Sequence, residues 1–306
     1  MNEYRVVGPP GAGKTTFIKR QVEKWCDEAY DPADFLLTSF TRAAAVELAG
    51  RLDMPRGSVG TLHSVCFHAF DQPAIAETGP LAKDWNESGV PPAWRIGKPM
   101  ASLEDGLSDT EVGSMLAMYG TARSALLPPE HPAWSMTKAF AERWEDYKDQ
   151  TNSVDFTDLL VQGYDELLTP PTDPRILMVD EAQDLTPLQW KLVRLWAESV
   201  ERLVVVGDPA QCLYGFLGAS PKELLDPLAP ERQRLLGTGG TYRMPRMVHQ
   251  YAERWLRTHS APMCDDREYQ PRDADGQVRH LGATWKSGVG LPGPWEVLDE
   301  IIANAA

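Results

Sequence analysis

Gly8-Pro-Pro-Gly11-Ala12-Gly13-Lys14-Thr15 fits the pattern GxxxxGK[ST]. Glycines at those places let backbone N–H groups turn inward around phosphate oxygens, and a helix opening at the lysine adds the positive end of its dipole. In such a cradle Lys14 reaches the β and γ phosphates and the Thr15 hydroxyl takes a Mg²⁺ ion. Hydrolysis needs a second carboxylate site at the end of a neighbouring strand, and Ile176-Leu-Met-Val179-Asp180-Glu181 supplies one. There Asp180 is the candidate for the Mg²⁺ shell and Glu181 the candidate general base for the attacking water. Val206-Gly-Asp208-Pro-Ala-Gln211-Cys-Leu-Tyr214-Gly-Phe216 adds a glutamine placed to hydrogen-bond a γ-phosphate, with two aromatics close behind it. Tyr214 and Phe216 read either as core residues or as base-stacking platforms. The adjacent Asp and Glu favour hydrolysis over phosphoryl transfer. Two other classes stay open: a P-loop kinase of a small metabolite, and a module that grips DNA or a protein partner without turnover.

Residues at these spacings need strands and helices to hold them. Apolar runs at Tyr4–Val7, Phe35–Thr38, Ser58–Thr61, Arg175–Val179 and Leu203–Val206 read as buried parallel strands. Helical spacing follows the first (Phe17, Ile18, Val22, Trp25, Cys26) and the fourth (Leu188, Leu192, Leu195, Trp196). This β-then-α alternation predicts a doubly wound α/β sheet. Between the third and fourth strands lies a proline-dotted stretch read as an inserted, mainly helical subdomain over 71–152. Within it Ser108–Glu111 has the form of a capping box, and Trp134, Ala141, Trp144 and Lys148 are expected on one helix face. The first domain is then 1–70 plus 153–236, and a second begins at 237 with Gly237-Thr-Gly-Gly240 and Thr241-Tyr-Arg-Met-Pro245. A helix with Val248, Ala252 and Trp255 on one face is expected next, then a strand at Gln277–Leu281 and a terminal helix cut short by the chain end, so 237–306 reads as a truncated opening.

Across 306 residues, 30 Lys+Arg oppose 44 Asp+Glu, a formal net charge of −14, which argues against a broad basic face that coats nucleic acid. A narrow groove binding by stacking stays compatible with it. The 42% hydrophobic share excludes extensive disorder. No apolar run is long enough to span a bilayer, and the start has no leader pattern, so a soluble, cytoplasmic chain is expected. The four cysteines stand far apart, which makes a disulfide framework or zinc site unexpected.

Taken together, the blocks GPPGAGKTT, LLTSFTRAAAVEL, VGTLHSVCF, DFTDLL, VDEAQDLTPLQ, VVVGDPAQCLYGFLGA and TYR (241–243) resemble, in order, the superfamily 1 DNA helicases of the UvrD/Rep/PcrA type. The resemblance covers about 1–70 and 153–282 and implies a RecA-like P-loop NTPase domain followed by the start of a second. It implies ATP and Mg²⁺ as cofactors, single-stranded DNA as partner, no membrane, and translocation with 3′ to 5′ polarity. Gly8, Gly11, Ala12, Gly13, Lys14, Thr15 and Thr16 would cradle the nucleotide, with Lys14, Glu181 and Gln211 catalytic. Arg243 would complete the site from the second domain, and Tyr242 would stack on adenine. Phe40, Thr61, His63, Tyr214 and Phe216 fall where the family contacts the strand, His63 having a structural role as its alternative. Gln183 and Asp184 resemble the family's link from hydrolysis toward the strand grip. The chain departs from the family in three ways: Thr16 and Leu217 replace arginines common in relatives, the adenine-reading glutamine has no place in the seven residues before Gly8, and the second arginine is expected beyond 306. This chain is accordingly expected to bind ATP and hydrolyse it poorly.

Overall fold

The computed structural model describes residues 2–52, 54–55, 57–97, 114–226, 228–237, 240–259 and 270–278. Its strands are β1 (Glu3–Val7), β2 (Phe35–Ser39), β3 (Val59–Gly60), β4 (Ile176–Asp180), β5 (Arg202–Gly207) and β6 (Gln233–Leu235). Its helices are α1 (Lys14–Glu28), α2 (Arg42–Arg51), α3 (Leu62–Ala69), α4 (Gly79–Glu87), α5 (Met115–Ser124), α6 (Pro132–Thr151), α7 (Phe156–Glu166), α8 (Pro187–Ala197), α9 (Lys222–Leu225) and α10 (Arg246–His259). All strand pairs are parallel, in the order β3-β2-β4-β5-β1-β6.

Alternation along the strands sorts the sheet's two faces. Leu36, Leu177, Val179, Leu203 and Val205 meet α3, α7 and α8, whereas Phe35, Leu37, Ile176, Met178, Val204 and Val206 meet α1 and α2. Burying each such side chain contributes about 1.5–3 kcal/mol, and near-continuous apolar strands are what covering both faces requires. The five expected strands and the flanking helices α1 and α8 are present. The sixth strand, β6, is three exposed residues with no apolar run to mark it.

The insertion has its own core of Ala76, Trp85, Val90, Leu116, Phe140, Trp144 and Tyr147. Its two ends lie side by side, through Ala76 N–H to the Val154 carbonyl and Val154 N–H to the Ala74 carbonyl, each 2.9 Å. A buried ion cluster ties it to α7. Asp155, which caps α7, accepts from Arg123 of α5, Lys148 of α6 and the Trp144 indole, and Arg123 and Lys148 also reach Asp158. Burial pushes the Asp155 carboxyl up, but the two cations hold it below its ordinary range.

Two expectations need correction. The α6 stripe is Ala133, Thr137, Phe140, Trp144, Tyr147 and Lys148, so Trp144 and Lys148 are inside while Trp134 and Ala141 only flank it. Trp134 instead turns its indole N–H onto the Leu127 and Pro128 carbonyls, a polar handle that apolar spacing overlooks. The helix expected after Pro245 is present as α10, with Val248 and Ala252 half-buried and Trp255 49% exposed. Gln277 and Val278 form no strand; the rest of that segment, the Ser108–Glu111 capping box and the terminal helix lie outside the described residues.

Candidate active site and strand-side pocket

The P-loop runs from the end of β1 into α1. Gly11 and Gly13 take the left-handed conformation (φ 74° and 85°), which glycine adopts without a Cβ penalty. At Gly11 space demands glycine as well, because a Cβ there would come 2.4 Å from the Arg243 Cβ. The Lys14 ammonium is buried and donates to the Gly8 carbonyl at 3.2 Å, so it crosses the mouth of the loop. Around the loop opens a cleft of about 460 Å³ lined by Pro9–Thr16, Glu47, Glu181, Gln211, Tyr242, Arg243 and Arg272. The second wall comes from the 241–243 strip, whose Tyr242 N–H donates to the Gly11 carbonyl at 3.0 Å. Sequence reasoning had therefore collected the P-loop, Glu181, Gln211, Tyr242 and Arg243 into one site. It missed Glu47, inside an alanine-rich helix, and Arg272, in a stretch without periodic signal.

Asp180 ends β4, almost fully buried, and accepts the Glu181 backbone N–H at 2.9 Å. Burial, reinforced by the adjacent Glu181 charge, pushes its carboxyl up to about 7. A buried carboxylate with no ion pair of its own among the described residues, and the Thr15 hydroxyl of the P-loop, are the hard oxygen donors that Mg²⁺ takes. Glu181 itself sits at φ 50°, ψ 41°, a left-handed conformation costing a non-glycine residue about 1–3 kcal/mol. Its side chain lines the cleft.

From Glu181 a chain of hydrogen bonds leaves the cleft. The Gln183 amide NH₂ donates to Glu181 at 2.9 Å and to Asp184 at 3.1 Å, and the Asp184 carboxylate accepts the Leu213 N–H at 3.2 Å. The Gln183 carbonyl oxygen accepts the Asp208 N–H at 2.9 Å, and Asp208 in turn accepts the Gln211 side-chain NH₂ at 2.7 Å. Gln183 lies so close over β5 that a Cβ on Gly207 would meet its oxygen at 2.7 Å. Asp208 is a further residue that sequence reasoning did not single out, although it stands within the block that carries Gln211.

The chain of bonds ends beside aromatics. Phe40 and Tyr214 pack with ring centroids 4.8 Å apart, and Phe216, 59% exposed, lies 6.2 Å from Tyr214. Phe40, His63, Glu77, Phe156, Asp184 and Tyr214 are among the residues lining a second pocket of about 80 Å³, closed on its far side by α5. Burial pushes the His63 imidazole down to about 4, and its ring meets Phe156 edge-on. Burial, with Asp155 nearby, raises the Glu77 carboxyl to about 8, and that carboxyl accepts the Phe156 N–H at 2.8 Å. Thr61 stands apart: its hydroxyl oxygen accepts the Ser64 N–H as the cap of α3, and it does not line the pocket.

A parallel sheet with a P-loop after β1 and an Asp-Glu pair after β4 defines a RecA-like P-loop NTPase domain. The family model described as AAA domain matches residues 2–217, and the chain belongs to that family. Among curated proteins it is similar to the ATP-dependent DNA helicase UvrD2 of Mycobacterium tuberculosis H37Rv, 27% identical over 259 residues, covering 72% of this chain and 36% of that protein. ATP-dependent DNA helicase PcrA of Leuconostoc citreum is 26% identical over 246 residues, covering 72% and 32%. DNA helicase II of Salmonella typhimurium is 23% identical over 252 residues, covering 72% and 33%. The resemblance to UvrD/Rep/PcrA-type helicases is thus borne out, and the chain spans about a third of the length of these relatives.

Proposed function

We propose that this chain forms the ATP-hydrolysing half of a DNA helicase or translocase that works on single-stranded DNA with 3′ to 5′ polarity. Lys14 neutralises the β and γ phosphates, Glu181 takes a proton from the attacking water, and Gln211 and Arg243 contact the γ-phosphate from two sides. Thr15 and Asp180 hold Mg²⁺, which neutralises developing phosphate charge when bound. Tyr242, exposed at the cleft edge, stacks on the adenine. Phe40, Tyr214, Phe216 and His63 receive bases of the strand, each stacked base contributing about 1–3 kcal/mol. Being neutral, His63 contributes a ring and a hydrogen-bonding edge rather than a charge.

The observation that carries this reading is the hydrogen-bonded path from Glu181 through Gln183 and Asp184 to the backbone just before Tyr214. A kinase has no use for a path from its hydrolytic carboxylate to an aromatic surface. Relatives named ATP-dependent DNA helicases add support. The test is steady-state ATP hydrolysis by the 306-residue chain with and without single-stranded DNA, with Glu181→Gln as control. Stimulation by DNA that vanishes in the control is expected; a phosphorylated small-molecule product, or turnover indifferent to both, would defeat the proposal.

A further inference from the structure

The second wall of the cleft carries two guanidinium groups. Residues 270–278 run beside 241–247: Thr241 N–H donates to the Gln270 carbonyl, Arg272 N–H to the Met244 carbonyl and Arg246 N–H to the Ala274 carbonyl, each at 2.8 Å. Arg272 and Pro245 form a parallel bridge in this ribbon. The acidic residues that follow Arg272 are already engaged: the Arg246 guanidinium holds Asp273 and, at 2.7 and 3.1 Å, Asp275. Arg272 itself has no side-chain hydrogen bond or ion pair among the described residues, and it lines the cleft opposite the P-loop, as Arg243 does.

An arginine left without a carboxylate while its acidic neighbours are used elsewhere is poised for an anion from outside. The cleft walls carry Lys14, Arg243 and Arg272 against Glu47 and Glu181. A triphosphate chain is the polyanion that such an excess of positive charge suits, and a planar guanidinium can grip two phosphate oxygens at once. We propose that Arg272 is a phosphate-contacting residue of the nucleotide site. It acts on the triphosphate rather than on the nucleoside, and it moves with Arg243 because one ribbon of backbone hydrogen bonds holds both. The inference rests on the nucleotide reading above and deepens it: the ribbon offers two cations to the γ-phosphate side of the cleft where the sequence pattern marked one.

The experiment measures equilibrium binding of a fluorescent ATP analogue to the whole chain, competed by ATP and by inorganic tripolyphosphate, for the native protein, Arg272→Ala, Arg272→Lys and Lys14→Ala. Arg272→Ala should weaken both competitors about tenfold, as loss of one charge-assisted contact implies, and should flatten the salt dependence of binding. Arg272→Lys should recover part of the loss. Arg272 is exposed, so circular dichroism should be unchanged in both variants. Unchanged affinity for both competitors in Arg272→Ala would overturn the proposal, as would weaker ATP binding with tripolyphosphate unaffected. Failure of the underlying nucleotide reading looks different: native protein and Lys14→Ala would then compete alike, and both claims would fall together.

Discussion

The P-loop cleft and the pocket beside Tyr214 are opposites. The P-loop cleft is wide and polar, with Arg243 and Arg272 facing it unpaired among the described residues, so the nucleotide proposed for it would bring the balancing charge. The strand-side pocket is small and lined by rings, and its ionisable groups are neutral (His63, Glu77) or tied into hydrogen bonds (Asp184). On the reading proposed, one site recognises charge and the other the flat faces of bases. What unites them is short: Gln183 and Asp184 bridge the Glu181 carboxylate to the backbone just before Tyr214 within a single turn of chain. Sites this different need not be physically merged to be coupled; a shared, fully satisfied polar network is enough to bias both.

The contrast predicts that cleft variants change chemistry while pocket variants change grip. The largest effect is expected for Glu181→Gln, which should lower the ATP hydrolysis rate by about 10²–10⁴-fold while nucleotide binding, read by titration of a fluorescent analogue, stays within about twofold. Next comes the wall shared by pocket and insertion. Asp155→Ala removes the buried carboxylate shared by Arg123 and Lys148, leaves Asp158 to face both cations alone, and should destabilise the fold by about 3 kcal/mol in urea denaturation, an effect without counterpart for any exposed carboxylate. Tyr214→Ala should weaken oligothymidine binding by about 1–3 kcal/mol and leave the ATP dissociation constant unchanged; equal losses for both ligands would erase the division of labour.

The last effect concerns pH and emerges only in acid. Folding lowers the His63 pKa from 6.5 to about 4, so its contribution to stability is present above pH 6.5 and is lost as pH falls from there through 4. His63→Gln should flatten that part of the stability profile in acid titration. An identical slope in the variant would mean that His63 is not buried in its neutral form.

Much of this was legible in the sequence because backbone-level signals are dense where phosphate binds. Gly11 and Gly13 are dictated by left-handed φ, Lys14 by the helix it opens, and Asp180 by its place at the end of an apolar run, so spacing alone assembled most of the cleft. Arg272 and Glu77 were not legible, since their importance comes from which distant segments fold beside them rather than from any local period. Thr61 shows the converse: a residue in a matching block whose hydroxyl oxygen caps its own helix and lies outside the pocket. Likewise Trp134 stood out by type, but the 3.6-residue stripe of α6 runs through Ala133 and Thr137 and leaves the larger ring at its margin.

The central claim is that the Gln183–Asp184 path couples nucleotide to strand, and coupling is a measurable free energy that must be equal from both directions. The direct measurement is oligothymidine affinity with and without a non-hydrolysable ATP analogue, for the native chain and for Gln183→Met, which keeps the side chain's bulk and removes its hydrogen bonds. The native chain should show a change of about fivefold or more between the two conditions, and Gln183→Met should bring the ratio close to one while each ligand alone still binds. A ratio near one in the native chain, or an undiminished ratio in Gln183→Met, would contradict the claim.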